Sequence, residues 1–166
     1  GVTVLNPQHP PFVKLMAAFP LLFLDLEFNP KDSTLAGPLK NEWEFGSKLL
    51  FANDADLILF LGRLPLMLLS LLLGFYVFKW ASEIFSNKAG LTALFIYAFM
   101  PVVIANAQFV TTDLAVAAFS FITLHYLWRF FKFGGTRYQI YSGIFFGLAL
   151  GSKFSAVLLF PIAAIL

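Results

Sequence analysis

Residues 57–78 read LILFLGRLPLMLLSLLLGFYVF, an apolar run that only Arg63 and Pro65 interrupt. An α-helix needs about 20 predominantly apolar residues to cross the hydrocarbon core of a bilayer. This run meets that length and predicts a transmembrane helix. The whole chain agrees with it, because 60% of its 166 residues are hydrophobic and only 12% are charged. Soluble domains are less apolar than this, so we predict an integral membrane protein.

Further apolar runs follow toward the C-terminus. Residues 89–110 carry no charge, and residues 111–128 hold Asp113 near their start. Residues 138–166 hold one charge, Lys153, and predict either a long tilted helix or, better, two short helices hinged near the sequence GSK. Residues 12–24 are too short to span the bilayer comfortably and predict an interfacial or re-entrant helix. The predicted fold is all-α: a polytopic helical bundle with about four to five membrane helices plus an interfacial helix.

Residues 25–56 form the one substantial water-facing segment, since they carry most of the acids and several lysines. We therefore divide the chain into two regions. Residues 1–56 are an extracytoplasmic loop with an interfacial helix, and residues 57–166 are a transmembrane helical domain. The chain begins at Gly1 and stops inside an apolar run. We expect it to be a fragment of a longer protein and to be inactive alone.

The distribution of basic residues predicts the orientation. The connections at 79–88 and 129–137 carry five Lys and Arg between them, whereas the turn at 106–112 carries none. Cytoplasmic loops are enriched in these residues, so we predict that both basic connections are cytoplasmic. Residues 1–56, the turn at 106–112 and Lys153 then lie on the outer side of the membrane.

Three charged residues lie within predicted spans: Arg63, Asp113 and Lys153. A charge at the centre of a membrane helix costs roughly 2.5–3.5 kcal/mol on insertion scales, so such residues are functional candidates. The predicted topology brings all three toward the outer face, together with His9 and Lys14. A phosphate group at that face would bind lysine and arginine. A transfer to a hydroxyl group requires a base, and Asp113 is the one carboxylate inside a predicted span.

Structural explanations for the same residues remain open. Asp113 is also suited to the positive N-terminal end of a helix, and Arg63 could snorkel to the interface or pair with Asp113. Lys14 could be an interfacial anchor, and Lys153 could mark a break between two helices. We expect His125, near the cytoplasmic end of its span, to be an interfacial side chain.

Several motifs, in order, resemble those of the protein O-mannosyltransferase-like membrane glycosyltransferases (glycosyltransferase family 39 type). They are HPPFVK at 9–14, RLP at 63–65, TTD at 111–113 and GLALGSKFS at 147–155. The resemblance covers nearly the whole chain. It implies a polytopic GT-C fold, a polyprenyl-phosphate-linked sugar donor, and inverting transfer of a mannose-like hexose on the extracytoplasmic face.

The same resemblance assigns roles to residues. It makes Asp113 an assisting acid or base, and it makes four residues substrate-binding: His9, Lys14, Arg63 and Lys153. The family's principal acidic motif precedes its histidine-proline-proline motif, so we expect that motif upstream of this fragment. The implied partners are the lipid-linked donor, a protein, lipid or glycan acceptor, and membrane lipids, without nucleic acid. The resemblance also implies a multi-pass protein in the plasma membrane of a prokaryote.

Other functions remain possible at this level. A transporter or lipid flippase also keeps charges inside the membrane, although it predicts them near the midplane and in two related halves. The third hypothesis is a membrane protein with a purely structural role. We expect no certain cofactor, although a divalent metal is possible, and no cluster of metal-ligating residues is evident around His9. The chain has no cysteine, which excludes disulfides and thiol catalysis.

Overall fold

The computed structural model describes residues 9–27 and 42–165. Their regular elements are helices: α1 (Phe12–Ala18, continued by the 3₁₀ helix Phe19–Phe23), α2 (Glu42–Ala52), α3 (Ala55–Ile84), α4 (Asn87–Ala98), α5 (Pro101–Ala107), α6 (Thr112–Phe133), α7 (Thr136–Ser152), the 3₁₀ helix Phe154–Leu158 and α8 (Leu159–Ile165). The expected all-helical membrane protein is thus confirmed in outline. The part of the predicted extracytoplasmic loop at 28–41 lies outside the described residues.

Helix α3 is the longest element and contains the run at 57–78. Asp54 caps its N-terminus, because the Asp54 side chain accepts a hydrogen bond from the N–H of Leu57 at 3.1 Å. Pro65 lies inside the helix without ending it. Neighbouring helices and local adjustments of the backbone make proline tolerable in membrane helices.

The span expected at 89–110 is broken into two helices, α4 and α5, which meet at an angle of 63°. Pro101 explains the break. It disfavours helical geometry in the residue before it, and Met100 is extended (φ −73°, ψ 116°). Pro101 itself then opens α5, a position that suits proline. The span expected at 89–110 is thus bent at Pro101, and whether the pair crosses the membrane as one span stays a prediction.

The hinge expected near GSK is confirmed. Helix α7 ends at Ser152, Lys153 is extended (φ −155°, ψ 139°), and a 3₁₀ helix follows before α8. Among the described residues, two helices, α3 and α6, are long and apolar enough to cross a membrane, and the bent α4–α5 pair would make a third. The expected number of four to five spans therefore stays a prediction.

The helices form two hairpins, α3–α4 and α6–α7, that pack against each other mainly through α3 and α6. Leu66 and Leu69 of α3 meet Ala115 and Ala118 of α6 in the buried core. These alanines lie three residues apart on one helix face, and small residues let membrane helices approach closely. Outside this core, apolar side chains are exposed, for example Leu71 at 71%. Such a surface suits contact with lipid tails.

Candidate active site at the start of α6 and the end of α7

Asp113 lies in the first turn of α6. Thr111 is the N-cap residue, but its hydroxyl donates to Asn106 Oδ1 at 3.1 Å and does not cap the helix. The carboxylate of Asp113 is therefore the acidic group at this helix end, where the helix dipole favours negative charge. Its side chain is 61% exposed, so solvent or a substrate can reach it.

Lys153 binds this carboxylate directly. Its Nζ lies 2.5 Å from Asp113 Oδ1, although the two residues are 40 positions apart in sequence. The contact depends on the break in α7, because the extended backbone at Lys153 ends the helix beside the start of α6. Arg63, the partner left open by the sequence, makes no ion pair with Asp113 among the described residues.

Helix α1 lies against the same part of the molecule. Val13 is 1% exposed, and the Phe12 ring meets the Phe119 ring of α6 edge to face, with centroids 5.8 Å apart. Phe12 also passes close to Gly151 of α7, where an added Cβ would be 3.5 Å from Phe12 Cβ. The HPPFVK segment, expected to lie beside the site, thus packs next to the last turn of α7, two residues before Lys153.

Arg63 and His9 are each half-buried, and neither side chain makes a hydrogen bond or an ion pair with the described residues. Arg63 follows Gly62, which lies under α1: an added Cβ there would be 3.9 Å from the Ala17 carbonyl oxygen. Lys14 projects from α1 and is exposed. The structure therefore joins Asp113 and Lys153 directly. Of the other three predicted residues, Lys14 lies in α1, His9 lies just before α1, and Arg63 lies in the part of α3 that α1 covers.

A cavity of about 210 Å³ opens beside Asp113. Asn106 is the other polar residue of its wall, and the remaining lining residues are apolar: Leu73, Val102, Val103, Leu114 and Ala117. Val103 of α5 also borders a second, mainly apolar cavity of about 380 Å³ between α3, α4 and α5. A substrate whose polar group lies at Asp113 could therefore place an apolar part in these cavities.

The described residues contain no group of three His, Asp or Glu side chains placed to hold a metal ion. Asp113 has one cation beside it, and that cation is the ammonium of Lys153. Asp113 offers a carboxylate with one oxygen held by Lys153.

A second polar cluster, which the sequence did not predict, lies at the opposite end of α3 and α6. His125 is fully buried there, with its ring centroid 5.4 Å from that of Tyr76 and 5.6 Å from that of Trp80. Glu83 lies 4.0 Å from His125 and 3.5 Å from Arg129. The expectation that His125 is an interfacial side chain is therefore wrong. Its spacing of four residues from Arg129, which puts both on one helix face, was the available signal.

A family model described as dolichyl-phosphate-mannose-protein mannosyltransferase matches residues 50–166. The match begins within α2 and includes Arg63, Asp113 and Lys153, whereas His9 and Lys14 precede it. It supports the expected mannosyltransferase-type glycosyltransferase of the GT-C class. A search of curated proteins and a search of solved structures each found no match to this chain.

Proposed function

Because the chain belongs to the dolichyl-phosphate-mannose-protein mannosyltransferase family, we propose that it contributes to mannosyl transfer from a polyprenyl-phosphate donor. The acceptor is a hydroxyl group of a protein, lipid or glycan on the extracytoplasmic face. The observation that carries the proposal is the ion pair between Asp113 and Lys153, which fixes a carboxylate at the start of a membrane helix and leaves it accessible.

In the proposed reaction, the acceptor hydroxyl loses its proton to a carboxylate while its oxygen attacks the anomeric carbon of the sugar. The bond from that carbon to the phosphate oxygen breaks, and polyprenyl phosphate leaves with the electron pair. Asp113 assists this proton transfer as an acid or base, through the oxygen that Lys153 does not hold. General bases of this kind contribute about 10²–10⁴-fold to a rate.

The donor phosphate carries the charge that the nearby basic residues would bind. We propose Lys14 and Arg63 as its electrostatic partners, because charge-assisted hydrogen bonds from lysine and arginine to phosphate are strong. His9 is proposed as a further donor at the same end. The apolar cavities beside Asp113 and α5 offer space for the apolar part of the donor.

The test is Asp113→Asn in the protein expressed at its full length, assayed with a synthetic polyprenyl-phosphate mannose and a peptide acceptor. We expect transfer to fall about 100-fold or more, because asparagine keeps the size of the side chain but cannot accept a proton. Asp56→Asn is the matched control, since Asp56 is also an exposed acid in the first turn of a helix, α3. Normal turnover by Asp113→Asn, or equal loss in both variants, would remove Asp113 from the site.

A further inference from the structure

The turn between α6 and α7 brings two guanidinium groups onto one tyrosine. Arg129 Nη2 donates to the Tyr138 hydroxyl at 3.2 Å, and Arg137 Nη2 donates to the same oxygen at 2.8 Å. Each guanidinium carbon also lies 4.7 Å from the centroid of the Tyr138 ring. Two like charges are thus held together by one neutral group, an arrangement that favours an anion beside them.

The hydrogen bonds of the Tyr138 hydroxyl also indicate an acceptor beside the two arginines. Tyr138 is buried, with 7% of the residue exposed. A phenol carries one hydrogen to donate and lone pairs to accept. Both arginines donate to this hydroxyl, and among the described residues no acceptor takes its own hydrogen. Buried polar groups normally have partners, so an acceptor oxygen is expected at this point.

Positive charge exceeds negative charge around the turn. Glu83 lies 3.5 Å from Arg129 and offsets that one guanidinium. Arg137 has no acidic partner among the described residues, and Lys132 is held over the Trp128 ring at 4.7 Å. The site would therefore attract an anion.

There is also space for a ligand. A cavity of about 610 Å³ opens between Phe133 and Tyr138, with both arginines in its wall. Gly134 and Gly135 also line it, with positive φ angles of 69° and 97°, and as glycines they bring no side chain into the space. Aromatic residues with lysine and arginine at the end of membrane helices are typical of the level of lipid headgroups.

We propose that the α6–α7 turn binds the phosphate of an anionic lipid headgroup, with Arg129, Arg137 and the Tyr138 hydroxyl as its donors. Arginine suits this role because its planar guanidinium can offer two parallel N–H groups to phosphate oxygens. The site is at the opposite end of α6 from Asp113 and does not depend on the proposed transfer reaction.

The experiment measures thermal unfolding of the purified full-length protein in detergent while short-chain phosphatidylglycerol is added. A ligand that binds the folded state raises the unfolding temperature as its concentration rises. We expect phosphatidylglycerol to raise this temperature and phosphatidylcholine, with the same acyl chains but no net charge, to have much less effect. Inorganic phosphate forms a third series. Protection by phosphate alone at the same concentrations would keep the site but assign it to free phosphate.

Two variants remove single donors. Arg137→Gln and Tyr138→Phe should each weaken phosphatidylglycerol binding about tenfold, the size expected for one charge-assisted hydrogen bond. Their controls are Lys88→Gln, an exposed cation outside the cavity, and Tyr141→Phe, a partly exposed tyrosine one turn further along α7. If one donor variant does not fold, the other carries the test. Equal protection by the two lipids, unchanged binding by the donor variants, or equal loss in the controls would overturn the proposal.

Discussion

A charged residue inside a membrane protein can stabilise the fold or take part in the reaction, and the Asp113–Lys153 pair allows the two roles to be measured separately. The side chains are 61% and 29% exposed, and exposed ion pairs contribute about 0–1 kcal/mol to stability. Breaking this pair should therefore affect folding little. A strong effect on sugar transfer would then report on chemistry, which makes these two residues suitable for mutation.

Lys153→Met gives the first prediction at this scale. It removes the cation that holds Asp113 Oδ1 but leaves the carboxylate in place, so the carboxylate loses its orientation. We expect transfer to fall about tenfold or more, with the unfolding temperature nearly unchanged. Lys153→Arg should restore part of the activity because it keeps the charge. Full activity of Lys153→Met would show that the pair does not position the carboxylate.

His125 gives the second prediction, and it concerns stability. Replacement by alanine would leave a cavity among Tyr76, Trp80 and Tyr126. We expect a loss of about 2–5 kcal/mol, as for other large buried side chains, measured as a lower unfolding temperature in detergent.

Two variants make this result interpretable. His125→Phe should cost less than His125→Ala, because it fills the space and removes two buried nitrogens that have no hydrogen-bond partner among the described residues. His9→Ala, the same substitution at a half-buried position, should change stability by about 0.5 kcal/mol or less. If His125→Ala melted at the wild-type temperature, the buried packing of His125 would be refuted.

At the scale of elements, glycine allows α4 to lie directly on α3. Ser86 caps α4 by accepting from the N–H of Ala89 at 3.3 Å, and the chain turns back within a few residues. A Cβ on Gly90 would be 1.9 Å from Ser82 Oγ and 2.7 Å from the Phe78 carbonyl oxygen. The serine can rotate away, but the carbonyl belongs to the backbone of α3.

Gly90→Ala should therefore separate α4 from α3 and destabilise the protein by about 1–3 kcal/mol. Gly147→Ala is the matched control, because a Cβ at Gly147 would meet nothing within 4 Å. That change should be neutral or stabilising by up to about 1 kcal/mol, since alanine favours a helix more than glycine does. Both are measured by thermal unfolding of the full-length protein. Equal effects of the two substitutions would contradict the close contact of α3 and α4.

At the scale of the whole molecule, α3 and α6 run in the same direction. Their C-terminal turns meet where Glu83 lies 3.5 Å from Arg129. The basic connections after both helices thus lie at one end, and the Asp113–Lys153 pair lies toward the other. This agrees with the alternation predicted from loop charge, whereas which end faces the cytoplasm stays a prediction.

Cysteine labelling tests that orientation. The described chain has no cysteine of its own, so single cysteines can be introduced without background from it. A cysteine at Gln108, in the short connection before α6, should react with a membrane-impermeant thiol reagent added to intact cells. One at Gly134, in the α6–α7 turn, should react only after the membrane is opened. The reverse pattern would invert the topology and move the candidate active site to the cytoplasmic face.

Local chemistry determined much of this protein from the sequence alone. Apolar length predicted the helices, the GSK sequence predicted the break after α7, and the order of motifs indicated the family. The tertiary structure decided which side chains meet. Lys153, not Arg63, binds Asp113, because the end of α7 returns to the start of α6. His125 is buried because Tyr76 and Trp80 of α3 pack over it. Such contacts join residues 40 or more positions apart, and helical periodicity, which relates only near neighbours, carries no information about them.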